Sequence, residues 1–447
     1  MTNATTGRST ALLTDQYELT MVDAALKAGT AHRECVFELF ARKLPAGRRY
    51  GVVAGVGRAL ELLRDFRFGD DELEFLRGRG IFDAETLDWL ADYRFTGSIR
   101  GYREGEVYFP NSPLLEVRAT FAEGVILETL LLSIYNYDSA VASAASRMVT
   151  AAGQRPVAEM GSRRTGERSA VAAARAAYIA GFSATSNLEA GRTWGVPTMG
   201  TAAHAFTLLH DTERAAFEAQ VSALGPGTTL LVDTYDIPRG VETAVEVAGT
   251  GLGGVRLDSG DLPVLVRQVR EQLDSLGATK TRITVTSDLD EYAIAGLAAG
   301  PVDAYGVGTS VVTGSGAVAS GMVYKLVARR DDAGEWVSVA KKAKDKASIG
   351  GAKFPVRRLN DDGVATGELV SVGGFPVGDG NDRPLFVDLV RDGEALPEHL
   401  GAEGVRRARE HRANAVRELP LGALRLAAGD PAIPTLLVDP RQDDPVI

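Results

Sequence analysis

Four short β-rich runs recur in the middle of the chain, each closing in a cluster of small or polar residues: TLLVDTYD from 229, GVRLDSGD from 254, RITVTSD from 282 and DAYGVGTS from 303. Their starts are 25, 28 and 21 residues apart, and the intervals carry helical patterns such as LPVLVRQVREQLDSLG and LDEYAIAGLAAG. A strand that rejoins its sheet in the same direction needs a crossover of this length, so the pattern predicts parallel strands in right-handed strand–helix–strand units. The segments share a pattern and not residues, which makes the repetition structural. Parallel strands put their C-terminal ends on one face, where ligands bind in barrels and doubly wound sheets alike. The polar clusters fall at those ends.

The flanks read differently. Residues 14–28, TDQYELTMVDAALKA, space their apolar side chains as a helix does, with Thr14 or Asp15 able to cap the first turn. Between about 96 and 121, alternation broken by Gly, Pro and Asn predicts short antiparallel strands and a mixed α+β region. Beyond about 328 the charge density rises and Gly- and Asp-rich turns follow, which predicts a second small domain or a return to the first; the stretch from 430 is expected to be a loosely held tail.

A formal charge of -10 over 447 residues disfavours general affinity for nucleic acid or an anionic membrane, while leaving room for a local basic site. The single cysteine, Cys35, allows no internal disulfide and no thiolate zinc cluster, as expected of a cytoplasmic chain. No signal peptide and no membrane span is expected, since neither a charged start followed by an apolar run nor a long uncharged apolar stretch occurs.

Several side chains near the strand ends bear chemistry. In YGVGTS, residues 305–310, the chain passes Gly306 and Gly308 to reach Thr309 and Ser310; exposed N–H groups and hydroxyls there can cradle a phosphate, or form only a turn. In RLDSGDL, Arg256 precedes Asp258 by two, so both emerge on one face of a strand. The guanidinium can clamp an acidic group while the carboxylate accepts from hydroxyls or holds a hydrated Mg2+; a strand-end salt bridge is the plain alternative. Asp261, ahead of Leu262 and Pro263, reads as an N-cap. Asp233, Asp236 and Asp288 each end a strand and can equally cap the next helix, Asp288 with Glu291 resembling a capping box.

Arg163 and Arg164, in EMGSRRTGERSA, follow a glycine at the end of an earlier strand and supply the extra cations that several anionic groups would need. His204, in PTMGTAAHAF, sits behind Gly200, Thr201, Ala202 and Ala203, which leave open volume beside the imidazole. No cysteine, and no second histidine before His210, offers a metal site with it. A packed or capping histidine is the plain reading, and a nucleophilic or phosphate-contacting one the sharper.

Taken in order, LLTDQYELTM, GFSATSNLEAGRTWGVPTMGTAAHAF, LVDTYD, GVRLDSGDL, TSDLDE and YGVGTS resemble the nicotinate phosphoribosyltransferases. The resemblance implies an irregular, TIM-like α/β barrel, here 129–329, with a flanking α+β domain built from N- and C-terminal segments, 1–128 plus 330–447. It implies that nicotinate and 5-phosphoribosyl 1-diphosphate give nicotinate mononucleotide and diphosphate, with ATP hydrolysis coupled through a phosphohistidine at His204. Mg2+ is implied with the diphosphate, with no directly assigned metal ligand, as is a homodimer with active sites at the subunit interface. Carried over, Tyr17 stacks on the pyridine ring from the neighbouring subunit, Phe182 gives the opposing face, and Thr201, Arg256 and Arg164 bind nicotinate. Gly306, Gly308 and Thr309 hold the 5-phosphate, with Asp258 and Asp288 also at the phosphoribosyl donor. His204, Arg256 and Asp258 form the catalytic set. The segment KDKASIGGAKFPVRR resembles a later part of the family, without a role for Lys346 or Lys353 beyond domain packing or anion contact.

Three other readings compete. A sister transferase acting on nicotinamide or quinolinate is the nearest. A phosphate-binding barrel lyase or isomerase is more remote, because no lysine stands at a strand end for a Schiff base. A non-catalytic nucleotide-binding protein would bind the donor and release no diphosphate.

Overall fold

The structure is a computed structural model describing residues 9–341, 349–378 and 380–438. The chain forms two compact units, one of residues 1–140 with 319–447 and one of residues 141–318.

The second unit is α/β and holds a six-stranded parallel sheet. In spatial order its strands are Ala184–Thr185, Val157–Glu159, Ala304–Val307, Arg282–Val285, Gly254–Leu257 and Thr229–Leu231. The four recurring β-rich runs are the last four, adjacent and in register: Thr284 faces Ala304 and Arg256, and Arg256 faces Leu231. Helices Ile237–Ala248, Leu262–Ser275 and Glu291–Leu297 supply the crossovers. A sheet covered by helices is apolar throughout its strands, and Leu230, Val255, Leu257, Ile283, Val285 and Val307 are all fully buried. The sheet curls as a partial barrel, extended past Ala184–Thr185 by a parallel bridge from Thr185 to Thr198.

Helix starts in this unit follow local chemistry. Asn187, Thr212 and Asp236 each accept a backbone N–H of the first turn, from Ala190, Ala215 and Arg239. Pro238 and Pro263 occupy first-turn positions where a missing N–H costs nothing. The expected capping box at Asp288 and Glu291 is not formed. Asp290 caps instead, accepting from Tyr292 and Ala293, while the Glu291 carboxylate binds Arg147 at 2.9 Å and the Ser315 hydroxyl at 2.8 Å. Asp261 precedes its helix without a side-chain cap bond.

The first unit is α+β. Its seven-stranded sheet runs Trp336–Ser338, Met322–Arg330, Glu34–Ala41, Pro113–Thr120, Ser98–Tyr102, Phe386–Arg391 and Glu394–Ala395, so strands from both ends of the chain interleave. The helix foreseen near residue 14 spans Gln16–Lys27; Asp15 stands at its N-cap without a side-chain cap bond, its carboxylate accepting instead from the Thr129 hydroxyl at 3.1 Å. A four-stranded sheet follows the order Arg383–Pro384, Lys353–Leu359, Ala365–Val372 and Thr435–Val438. Its last strand corrects the expectation of a loose tail from 430: Thr435–Val438 pairs in parallel with Glu368–Ser371 and buries Val438. Lys353 is buried, donating to Glu38 at 2.5 Å and to the Ile349 carbonyl at 2.8 Å, whereas Lys346 lies outside the described residues.

This unit also buries a network of charge. The Arg357 guanidinium, fully buried, donates to the Glu368 carboxylate at 2.5 Å and to the Val107 carbonyl at 2.9 Å. Its Nη1 stands 3.7 Å from Glu106 and 3.9 Å from Glu418. Glu106 also takes Arg383 at 2.8 Å and His411 at 2.7 Å; burial alone would raise its carboxyl, but the hydrogen bonds from these two and the charges of Arg357 and Arg383 hold it far below the usual range.

Candidate active site

At the C-terminal ends of the parallel strands lies a cavity of about 470 Å³, the size of a small-molecule site. Its walls come from several of the segments that the sequence singled out. Arg163 and Arg164 enter from the turn Ser162–Arg164, Thr201 from the stretch before His204, Arg256 and Asp258 from one strand end, Asp288 from the next, and Gly306, Gly308 and Thr309 from the last. Among the titratable side chains lining it, three are cationic and two anionic, a local excess of positive charge in a chain of formal charge -10.

Arg256 is the most constrained of the cations. Its Nη1 donates to the Thr201 hydroxyl at 2.7 Å, while its Nε is buried with no partner. Burial lowers the guanidinium pKa, and Asp258 and Asp233 oppose that shift. A buried donor without an acceptor is costly, so an oxygen ligand would find an unmet hydrogen bond here. Arg163 and Arg164 are exposed, and their guanidiniums have no hydrogen-bond or ion-pair partner among the described residues. Asp258 accepts the Thr286 hydroxyl, which fixes the carboxylate against the neighbouring strand.

The glycines of the 306–309 turn differ in what surrounds them. A Cβ on Gly306 would stand 2.7 Å from both Met160 Sδ and Thr286 Cγ2, whereas one on Gly308 would meet nothing nearer than the Met160 carbonyl at 3.5 Å. We therefore expect Gly306→Ala to displace side chains that line the cavity and to raise KM at this site about tenfold, with Gly308→Ala within about threefold of the parent protein. Steady-state kinetics on the two variants checks the order; a milder Gly306→Ala would contradict it.

His204 opens the helix His204–Leu209, one residue beyond the cavity-lining Ala203. Its Nε2 lies 3.1 Å from Oδ1 of Asp233, whose side chain is fully buried. An ionised carboxylate only accepts, so Nε2 is the donor of this contact, and in the neutral form of the ring Nδ1 is then the nitrogen with the free lone pair. The other oxygen of Asp233 accepts the Asp258 N–H at 2.9 Å and the Ser259 hydroxyl at 2.8 Å. One carboxylate thus joins His204 to the loop that carries Asp258. Four residues before the histidine, a Cβ on Gly200 would touch nothing within 4 Å.

Other expected residues lie elsewhere. Phe182 is fully buried and is not among the residues that line the cavity, so it presents no exposed opposing face there. Tyr17, on Gln16–Lys27, belongs to the other unit and is 46% exposed. Asp236 caps its helix, and Nδ1 of His210 bonds the Phe206 carbonyl at 2.8 Å. Sequence reasoning missed Met160, Met199, Ser186 and Ser287 as wall residues, and the role of Asp233 as partner of His204. Ser287 adopts a left-handed backbone, φ 106°, with no glycine in TSDLDE to signal it. Among the described residues no group of three or more His, Cys, Asp or Glu side chains is arranged to hold a metal ion, and no helix is long and apolar enough to cross a membrane.

Residues 12–136 match the model of the nicotinate phosphoribosyltransferase N-terminal domain. The chain is 58% identical over 433 residues to the nicotinate phosphoribosyltransferase pncB1 of Mycobacterium tuberculosis, covering 95% of this chain and 94% of the relative. It is 38% identical over 363 residues to the nicotinate phosphoribosyltransferase of Bacillus subtilis, covering 79% and 74%. The crystal structure of human nicotinic acid phosphoribosyltransferase superposes with a TM-score of 0.80 at 27% identity, over 95% of this chain and 97% of that one.

Proposed function

Because the chain belongs to the nicotinate phosphoribosyltransferase family, we infer that the strand-end cavity is where its two substrates meet. The reaction is the family's: nicotinate and 5-phosphoribosyl 1-diphosphate give nicotinate mononucleotide and diphosphate, a step toward NAD. One observation carries the placement, namely that three guanidiniums and the Gly306–Thr309 turn face one volume although they are far apart along the chain.

In this reading Arg256, steadied by Thr201, takes the nicotinate carboxylate, with Arg164 as a second contact. The backbone and hydroxyl of Gly306, Gly308 and Thr309 take the 5-phosphate. Asp258 and Asp288 offer two carboxylates toward the donor and its Mg2+; two are too few to hold such an ion alone and suit one shared with diphosphate oxygens and water. When bound, that ion supplies charge neutralisation to the departing diphosphate. The pyridine nitrogen forms the new bond to the anomeric carbon as the bond to the diphosphate oxygen breaks, and the electron pair leaves with the diphosphate.

ATP acts through His204. The Nδ1 lone pair attacks the γ-phosphorus, the bond to ADP breaks, and water later releases the phosphoryl group as phosphate; Asp233 holds the ring and its Nε2 proton throughout. No aromatic side chain lines the cavity among the described residues, which supports a ring face brought by Tyr17 of a second copy in a homodimer. A cytoplasmic location agrees with the one buried cysteine.

The test is turnover with and without ATP. His204→Ala should retain basal mononucleotide formation and lose the ATP-dependent increment, with ATP consumption falling about 100-fold or more. Undiminished stimulation by ATP in that variant would sink the phosphohistidine route.

A further inference from the structure

Glu159 takes no part in the chemistry described so far. It ends the strand Val157–Glu159, is fully buried, and forms no ion pair among the described residues. Each of its oxygens accepts one hydrogen bond, the first from the Gly161 N–H and the second from the Thr185 hydroxyl at 2.5 Å. The Thr185 oxygen in turn accepts the Asn187 N–H at 3.0 Å, and the Asn187 side-chain nitrogen donates to the Ser162 hydroxyl at 2.9 Å. The circuit therefore closes on itself, from the carboxylate through Gly161 and Ser162, Asn187 and Thr185.

What hangs from this circuit is the turn Ser162–Arg164, which brings Arg163 and Arg164 to the cavity wall. Gly161 is wedged in place: a Cβ there would lie 2.3 Å from Val312 Cγ1, 2.8 Å from the Gly308 carbonyl and 3.0 Å from the Glu159 carboxylate itself. The same close fit thus joins the arginine turn to the glycine turn across the site.

Burying a carboxylate without a cation is costly, and burial does push the Glu159 carboxyl above its ordinary range against the pull of its two hydrogen bonds. Plain packing would be served better by an apolar residue, and a glutamine has one acceptor oxygen where two donors converge. We propose that Glu159 is a positioning residue, locking the Gly161–Arg164 turn so that both guanidiniums are held ready for the anionic substrates. This rests on the reading of Arg163 and Arg164 as anion contacts.

The experiment is a mutant cycle. E159A, E159Q, the R163A/R164A pair and the combination of E159A with that pair are compared by KM and kcat for 5-phosphoribosyl 1-diphosphate and for nicotinate, after thermal melts establish which are folded. We expect E159A to raise KM for at least one substrate about tenfold with kcat within about threefold, E159Q to fall between it and the parent, and E159A to add nothing once both arginines are gone. An effect of E159A that persists at full size in the arginine-free background overturns the proposal, as does an unchanged KM in folded E159A. If E159A does not fold, T185V removes one donor to the carboxylate at nearly constant volume and is judged by the same two criteria. An arginine pair whose removal leaves both KM values unchanged overturns instead the reading of those arginines, and separates that failure from this one.

Discussion

Arg256→Ala is expected to lower kcat/KM for nicotinate by about 10- to 150-fold. A hydrogen bond between charged groups contributes about 1.5–3 kcal/mol, and about 1.4 kcal/mol is a factor of ten in rate. The site magnifies the loss rather than softening it, since Arg256 is held by Thr201 at 2.7 Å and has a buried Nε awaiting an acceptor. The sharper readout is discrimination. The parent enzyme should prefer nicotinate over nicotinamide because the neutral amide forfeits the charge-assisted bond, and the variant should lose most of that preference. Arg256→Lys restores charge but not the planar fork, and should recover only part of it. If Arg256→Ala still discriminates acid from amide as well as the parent, the carboxylate is held elsewhere in the cavity.

The second large effect is on stability. Arg357→Ala should cost about 3–5 kcal/mol, seen as a lower urea midpoint, because it strands a buried carboxylate. Glu368 is fully buried and would lose the guanidinium 2.5 Å away, whereas Glu106 keeps Arg383 and His411. Removing both members of the pair is a different matter. Arg357→Met with Glu368→Leu deletes the charges together and should cost far less than the single change, since a buried ion pair often contributes little net stability. Equal losses for the single and double variants would mean that the packing of the aliphatic stem, and not the charge, is what the fold depends on. Activity measured at low temperature should be spared in both, because none of these residues belongs to the unit that holds the cavity.

How much of this was legible beforehand differs by residue. The parallel strands were, because a recurring alternation of strand and helix leaves the sheet few topologies, and the ends of those strands then had to share a face. That logic brought Arg256, Asp258, Asp288 and the Gly306–Thr309 turn to one cavity without any knowledge of distances. The link from His204 to Asp233 was not legible. The two are 29 residues apart, and Asp233 looked like any other strand-ending carboxylate until the helix His204–Leu209 folded over it.

In TSDLDE the sequence pointed to Asp288 with Glu291 as the capping box and passed over Asp290, which caps the helix. Either could cap a helix, but Leu289 is anchored in the core and Ser287 takes a left-handed turn, so the helix begins at Glu291 and Asp288 is left to face the cavity. Phe182 was misplaced for the opposite reason, since an aromatic ring serves a ligand or a core equally well by type alone. The strand Thr435–Val438 was hidden by its composition, because a four-residue strand flanked by Pro and Asp has too short a pattern to register.

In the proposed ATP-coupled cycle, the position of Asp233 bears on how the two halves communicate. One of its oxygens faces the imidazole and the other steadies the loop that presents Asp258. If a phosphoryl group on the imidazole alters how that loop receives the sugar donor, then thermodynamic reciprocity requires the bound donor to alter the histidine's equilibrium with ATP by the same factor. A two-way dependence of this kind needs no moving domain. It needs only that both events contend for the orientation of a single planar group three atoms wide.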